Sequence, residues 1–278
     1  MILPASYSNG FAPRDGSPLY PQLWRGCVGA WAPCLGPTGL TLRDWSGRRN
    51  HGALSGGASF ALSGGRYALR CDGVDDKCIT SGNVPTVTGP QWVSLWFNAV
   101  GITVANRPSF FSIALPSSPF TTQLIVGFNV VGTGETEGTS RLCVIDYDGV
   151  VVSGAYTNTT FGSRLNEWIH VVGGWDGTRW FVFINGVDET NAQGTQDAPT
   201  AVAAPLYISG NAGGRSFDGY IDEVVWSRGR ITTEQRKLLG LRRGITAELA
   251  PRRRASSVGG FRAAWARRQS LSQLAGAN

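Results

Sequence analysis

The sharpest hydrophobic alternation in the chain runs from Trp168 to Val172, with Trp168, His170 and Val172 in one phase and Ile169 and Val171 in the other. Trp175-Asp176-Gly177-Thr178 interrupts that pattern with turn residues, and Trp180 to Ile184 resumes it with β-branched and aromatic side chains, which predicts a hairpin. Asn185-Gly186 tolerates positive φ and predicts the next turn; Leu206 to Ile208 then leads through the glycine-rich stretch 209–214 into a strand over Phe217 to Trp226. Upstream, Gln91–Val100, Phe110–Ala114, Gln123–Val130 and Arg141–Asp146 alternate like sandwich strands, and their order predicts a continuous antiparallel meander. One short helix is expected after the last strand: Thr232 supplies an N-cap, Gln235 its capping-box partner, Ile231 a staple, Leu238-Leu239 the apolar face and Gly240 the stop.

A chain of 278 residues with this many short strands suits a single all-β domain with extensions. The 38 glycines fit frequent tight turns, and the ten tryptophans supply large apolar surfaces for a sheet-on-sheet core. No run approaches 18 apolar residues, and Met1 to Ser6 lacks a basic start and an apolar signal core, so neither membrane insertion nor Sec-type export is expected. Cys27, Cys34, Cys71, Cys78 and Cys143 are read as reduced, small buried hydrophobes, with Cys71 and Cys78 placed to face each other across a hairpin.

The order W-x-H-V at Trp168, W-D-G at Trp175, N-G at Asn185 and F-x-G-x-I-D-E-V at Phe217, followed by a short helix, resembles the laminin-G-like jelly rolls of the concanavalin A-like superfamily. Two earlier segments carry the same resemblance. Asp44 to Gly52 reads D-x-S-G-x-x-N-H-G, and Cys71 to Asp76 resembles the family's F-D-G-x-D-D segment with Cys in place of Phe. The resemblance implies an all-β jelly-roll sandwich over residues 23–240 with its closing helix, an extended N-terminal arm over 1–22 and a C-terminal tail over 241–278.

Charge sharpens that division. Residues 241–278 carry eight arginines against Glu248, a net +7, so the rest of a chain whose total is +6 stands at −1. Within the tail, Arg252, Arg253 and Arg254 suit bidentate pairing with a partner's carboxylates, while Phe261 and Trp265, spaced i, i+4 in a helix expected over 258–271, suit an apolar groove. The tail's neighbours are small residues with no recognisable nucleic-acid-binding motif, which favours a protein partner.

No E-x-D-x-x-E pattern is present to supply the carboxylate pair of a glycanase. Asp222-Glu223 comes nearest, but adjacent strand residues point to opposite faces. His51 and His170 have no nucleophile motif beside them and read as turn and sheet residues. The resemblance implies a calcium site at a sandwich rim, for which Asp72, Asp75, Asp76, Asp222 and Glu223 are the candidates; hydrogen bonds within turns are the alternative use of the same carboxylates. Trp175, Tyr207 and Trp226 are candidate stacking platforms for a sugar, with core packing as the competing role.

A jelly roll without a signal peptide, with a Pro-rich arm and an E-L-A-P-R-R-R ending, is also similar to single-domain jelly rolls among virion proteins of tailed bacteriophages. The expected function is accordingly non-enzymatic: a capsid decoration, tail or fibre component, localised to the virion, docking on other virion proteins and on copies of itself through its termini. A carbohydrate-binding module for attachment to a host surface glycan is the alternative.

Overall fold

The computed structural model describes residues 21–102, 108–115, 121–128, 140–211 and 213–245. In chain order the elements are α1 (Pro21–Trp24), β1 (Cys27–Trp31), β2 (Thr41–Leu42), β3 (Gly52–Ser55), β4 (Ser59–Ser63), β5 (Arg66–Asp72), β6 (Lys77–Asn83), β7 (Gln91–Gly101), β8 (Ser109–Ala114), β9 (Thr122–Phe128), β10 (Arg141–Tyr147), β11 (Val152–Thr160), β12 (Trp168–Trp175), β13 (Trp180–Ile184), β14 (Val187–Asp188), β15 (Thr190–Gly194), β16 (Pro205–Ile208), β17 (Asp218–Arg228) and α2 (Thr233–Leu239). They form two antiparallel sheets. One runs β14-β13-β12-β7-β17-β5-β4 with β1 added on β17; the other runs β15-β11-β10-β9-β8-β16-β6-β3-β2. This is the jelly-roll sandwich that the family resemblance implies.

The expected meander is only partly formed. β8, β9 and β10 pair in succession, but β7 lies in the opposite sheet between β12 and β17. Alternation marks a strand and one buried face without saying which sheet receives it, so the crossing from β7 to β8 left no mark in the pattern. Cys71 and Cys78 are likewise brought together differently: β5 and β6 belong to different sheets, and the two thiols meet inside the inter-sheet core, not across a hairpin.

That core is aromatic at its centre. Phe97 stacks on Phe110 with centroids 4.5 Å apart, and Phe128 and Phe217 meet Phe110 edge-on at 5.1 and 4.7 Å. Each such pair adds about 0.5–1.5 kcal/mol beyond the burial of its area. The β13–β14 hairpin turns at Asn185 and Gly186, whose φ values of 49° and 82° are both positive, as a two-residue hairpin turn requires. Thr232 and Gln235 cap α2 reciprocally, and its buried Leu238 and Leu239 hold it down.

The family-like segment Asp44 to Gly52 is a structural clasp. Asp44 Oδ1 accepts from the Ala30 and Ser46 amides, and its Oδ2 accepts from the Ser46 hydroxyl and the Asn50 amide. His51 Nδ1 accepts from the Asp44 amide, while Asn50 Nδ2 donates to the Val28 carbonyl. The motif's polar residues thereby tie the turn to β1, which accounts for their spacing without any ligand.

Candidate functional site

β5 ends at Asp72, and the turn through Gly73 to Asp76 delivers the chain to β6 in the other sheet. Three carboxylates crowd this turn: one oxygen from each of Asp72, Asp75 and Asp76 lies within 4.8 Å of the others. Asp72 Oδ1 accepts from the Val74 amide, and Asp76 Oδ2 accepts from the Asp72 amide. Asp76 itself is 3% exposed, yet its Oδ1 is buried with no hydrogen-bond partner.

Glycines keep the space around that oxygen open. A Cβ on Gly57 would stand 3.0 Å from Asp76 Oδ1, and one on Gly56 would stand 2.5 Å from the Asp75 carbonyl oxygen. Burial, together with the neighbouring Asp72 and Asp75 charges, raises the Asp76 pKa above the ordinary carboxylate range, partly offset by the Asp72 amide. An all-oxygen donor set with one unsatisfied buried carboxylate oxygen fits a hard divalent cation such as calcium. The turn is braced from the opposite side by Ser209, whose hydroxyl donates to the Asp76 carbonyl and accepts from the Phe217 amide.

Asp222 and Glu223, grouped with these aspartates on the sequence, do a different job. A β-bulge interrupts the pairing of β17 with β7 between Asp222 and Val225, and Glu223 takes φ 51°. The bulge cancels the alternation that should have sent the two side chains to opposite faces. Asp222 accepts from the Cys34 amide and lies 3.3 Å from Arg243 Nε, while Glu223 Oε2 accepts from the adjoining Gly244 amide at 2.7 Å. Both acids therefore grip the same segment beyond α2. Burial pushes the Asp222 carboxyl up to about 6 against the lowering effect of Arg243, and Asp222 and Glu223 are 0% and 1% exposed. A perturbed acid so completely enclosed is an anchor for the chain, closed to a sugar.

Arg243 completes the anchor. Its guanidinium lies 3.9 Å from the centre of the Trp168 ring and donates to the Ser63 and Arg66 carbonyls. Packing against the sandwich thus runs on past Gly240 as far as Ile245, which is 3% exposed. Arg252, Arg253, Arg254, Phe261 and Trp265 lie outside the described residues, as do residues 1–20 of the arm expected over 1–22, whose last two residues, Pro21 and Gln22, belong to α1.

The three aromatic residues picked out as sugar platforms are all buried. Trp226 is 0% exposed and donates its indole N–H to Gln91 Oε1 within the core; Trp175, at 6%, packs beside Trp180 with centroids 5.7 Å apart. Tyr207, at 5%, lies on the other face of β16 from Leu206 and Ile208 but is closed to solvent as well. None of them presents a ring face for stacking. His170 is a sheet residue as expected, 2.8 Å from the Ser94 hydroxyl at Nε2 and held by burial at a pKa of about 3.

The comparisons with known proteins agree with this architecture. A sequence profile of the concanavalin A-like lectin/glucanases superfamily matches residues 72–235, more than half of the chain. The chain belongs to this superfamily. No curated protein sequence matches it.

Among solved structures, domain 4 of AbnA, a GH43 extracellular arabinanase from Geobacillus stearothermophilus in complex with arabinotriose, is similar with a TM-score of 0.54 and 19% identity, over 77% of this chain and 98% of that domain. The binding domain of Paraclostridial Mosquitocidal Protein 1 gives 0.56 and 14%, over 79% of this chain and 52% of that one. Trypanosoma rangeli sialidase in complex with 2,3-difluorosialic acid gives 0.56 and 12%, over 91% of this chain and 36% of the sialidase. The superfamily member described here thus shares its fold with parts of an arabinanase and a sialidase and with the binding domain of a mosquitocidal protein, at identities that speak for fold alone.

Proposed function

We propose that the protein is a non-enzymatic jelly roll of a tailed-bacteriophage virion, a capsid decoration or a tail or fibre component, that docks on neighbouring subunits through its termini. The observation that carries this reading is the anchor at the C-terminal end of the sandwich. Buried acids on the β17 bulge hold Arg243 and Gly244, so the arginine-rich segment beyond Ile245 leaves from a fixed point on a rigid body. Fixing the point of departure confines a docking segment to one region of a neighbour and lowers the entropy lost on binding. The virion setting rests on the sequence resemblance.

The non-enzymatic part is supported by what the adjacent acids do. Glycoside hydrolysis calls for two carboxyls about 5–5.5 Å or 6.5–9.5 Å apart on either side of an accessible bond. Asp222 and Glu223 are enclosed and committed to one segment. In the same reading, Asp72, Asp75 and Asp76 hold a calcium ion that ties β5 to β6 and so joins the two sheets at the rim.

The test is a truncation placed to leave the anchor whole. Removal of residues 246–278 is expected to preserve folding and abolish incorporation into particles, measured by co-sedimentation; unchanged incorporation overturns the docking role. Glycan recognition is the second reading, favoured by one observation: the arabinanase domain that is similar over 98% of its length was solved in complex with arabinotriose.

A further inference from the structure

β4 ends one of the two sheets: it pairs with β5 on one side, and among the described residues no strand pairs with its other side. It reads Ser-Phe-Ala-Leu-Ser, five residues without a charge or a proline, and its pairing with β5 has no bulge. A strand left open in this way offers its main-chain groups to another strand unless charge, shortness or a bulge prevents it. The strands at the other sheet ends are blunted. β14 has two residues, one of them Asp188; β2 has two and runs into Arg43; β15, Thr-Asn-Ala-Gln-Gly, is polar and stops at Gly194 with φ 63°.

The turn into β5 fixes which groups of β4 face the open side. Gly64 and Gly65, with φ 57° and 76°, form a two-residue hairpin turn, and the flanking Ser63 and Arg66 of such a turn exchange both main-chain hydrogen bonds. Alternation then makes Ala61–Ala68 and Ser59–Arg70 hydrogen-bonded pairs too, which leaves the N–H and C=O of Phe60 and Leu62 directed outward. Side chains follow the same period. Phe60 packs against the core, Leu62 shares its face of the strand but is 65% exposed, and Ala61 takes the opposite face with its cross-strand partner Ala68.

We infer that β4 is a self-association edge, to which a second copy of this chain adds its own β4, antiparallel, about a twofold axis at Ala61. In that register Phe60 stands opposite the second copy's Leu62, and Leu62 opposite its Phe60. These are the residues whose main-chain groups face outward, so each pair exchanges both hydrogen bonds. The same register matches the side chains: the exposed Leu62 is covered by an aromatic ring, Ala61 meets Ala61 at the close Cα approach of about 4.5 Å in a non-hydrogen-bonded pair, and Ser59 meets Ser63. One axis satisfies main chain and side chains together, which selects a second copy over a strand of unrelated sequence. The contact is isologous and closes at two copies. It makes no use of the termini and so goes beyond the docking proposed above.

The experiment is sedimentation velocity of the full chain over a concentration series, with variants at the edge. The parent is expected to pass from monomer to dimer as concentration rises. L62K, at an exposed position, places a charge on the edge and is expected to weaken the dimer at least about tenfold at an unchanged unfolding midpoint. A61C sets two sulfurs across the axis at a Cα separation that a disulfide spans, so mild oxidation is expected to give a covalent dimer; V187C, exposed on β14 at the other end of the same sheet, gives none beyond the parent's background. A parent that stays monomeric throughout leaves the edge to a strand of another protein and overturns the inference. L62K associating as tightly as the parent moves self-association to the termini and overturns it as well, and so does A61C that cross-links no more than V187C.

Discussion

Single residues here are constrained chiefly by what lies opposite them across a packed contact. A Cβ placed on Gly240 would stand 2.9 Å from His170 Nδ1, so the end of α2 reaches the sheet only because that position lacks a side chain. G240A is expected to destabilise the protein by about 1–3 kcal/mol, the range for overpacking, and H170A in the same chain to recover part of the loss; denaturant titration of the single and double variants measures the coupling. Buried titrating groups give a second test. Burial raises Asp146 to about 7 despite its bonds from Thr200, so its contribution is whole below the ordinary aspartate range and is lost as pH rises toward 7. His170 acts in the opposite sense: with its pKa depressed to about 3, its contribution is present above the ordinary histidine range and fades as pH falls below about 6.5. Melting curves should therefore show D146N losing less stability than the parent between pH 4 and pH 7, and H170Q losing less between pH 6.5 and pH 4. The sequence pattern marked Trp175 and Trp226 as strand residues, but alternation is the same for a ring facing the core and a ring facing solvent, so their burial became visible only with the opposing sheet in place.

At the scale of elements, the bulge in β17 separates what was legible from what was not. Strand positions, the Asn185-Gly186 turn and the reciprocal cap on α2 follow from side-chain chemistry within a few residues, and they stand where the pattern put them. The bulge at Asp222–Glu223 has no such local marker. It arises where β17 exchanges β5 for β1 as its partner, and it turns two acids that strand geometry should separate toward one segment. The grouping of Asp222 and Glu223 with the aspartates of the β5–β6 turn failed for that reason, while Asp72, Asp75 and Asp76, close in sequence, were bound to be close in space. Removing the cation from the anchor strands its acids: R243A is expected to cost about 3–5 kcal/mol by leaving Asp222 buried and unpaired, and D222N added to it should restore part of that. Thermal unfolding of the three proteins decides it, and an R243A chain as stable as the parent excludes the anchor.

For the whole molecule, two features matter most: the acidic turn through Asp72, Asp75 and Asp76, where the chain passes from one sheet to the other, and the anchor that packs the chain beyond α2 against the sandwich as far as Ile245. Calcium is expected to raise the unfolding midpoint of the parent chain and to have little effect on D76N, whose carboxamide keeps the shape but loses the buried charge; equal response in both proteins would remove the metal from the rim. Fold class was open to sequence reasoning because it rests on strand alternation, turn residues and short motifs. The anchor of Asp222 and Glu223 on Arg243 and Gly244 was not, because β17 and the segment beyond α2 meet there only in the folded chain. The central claim is the structural role in a virion, and the most direct measurement is quantitative mass spectrometry of purified particles from the native source, with immunogold labelling to place the chain. A fixed, stoichiometric copy number on capsid or tail is expected; a chain absent from particles and recovered only as free protein contradicts the structural role.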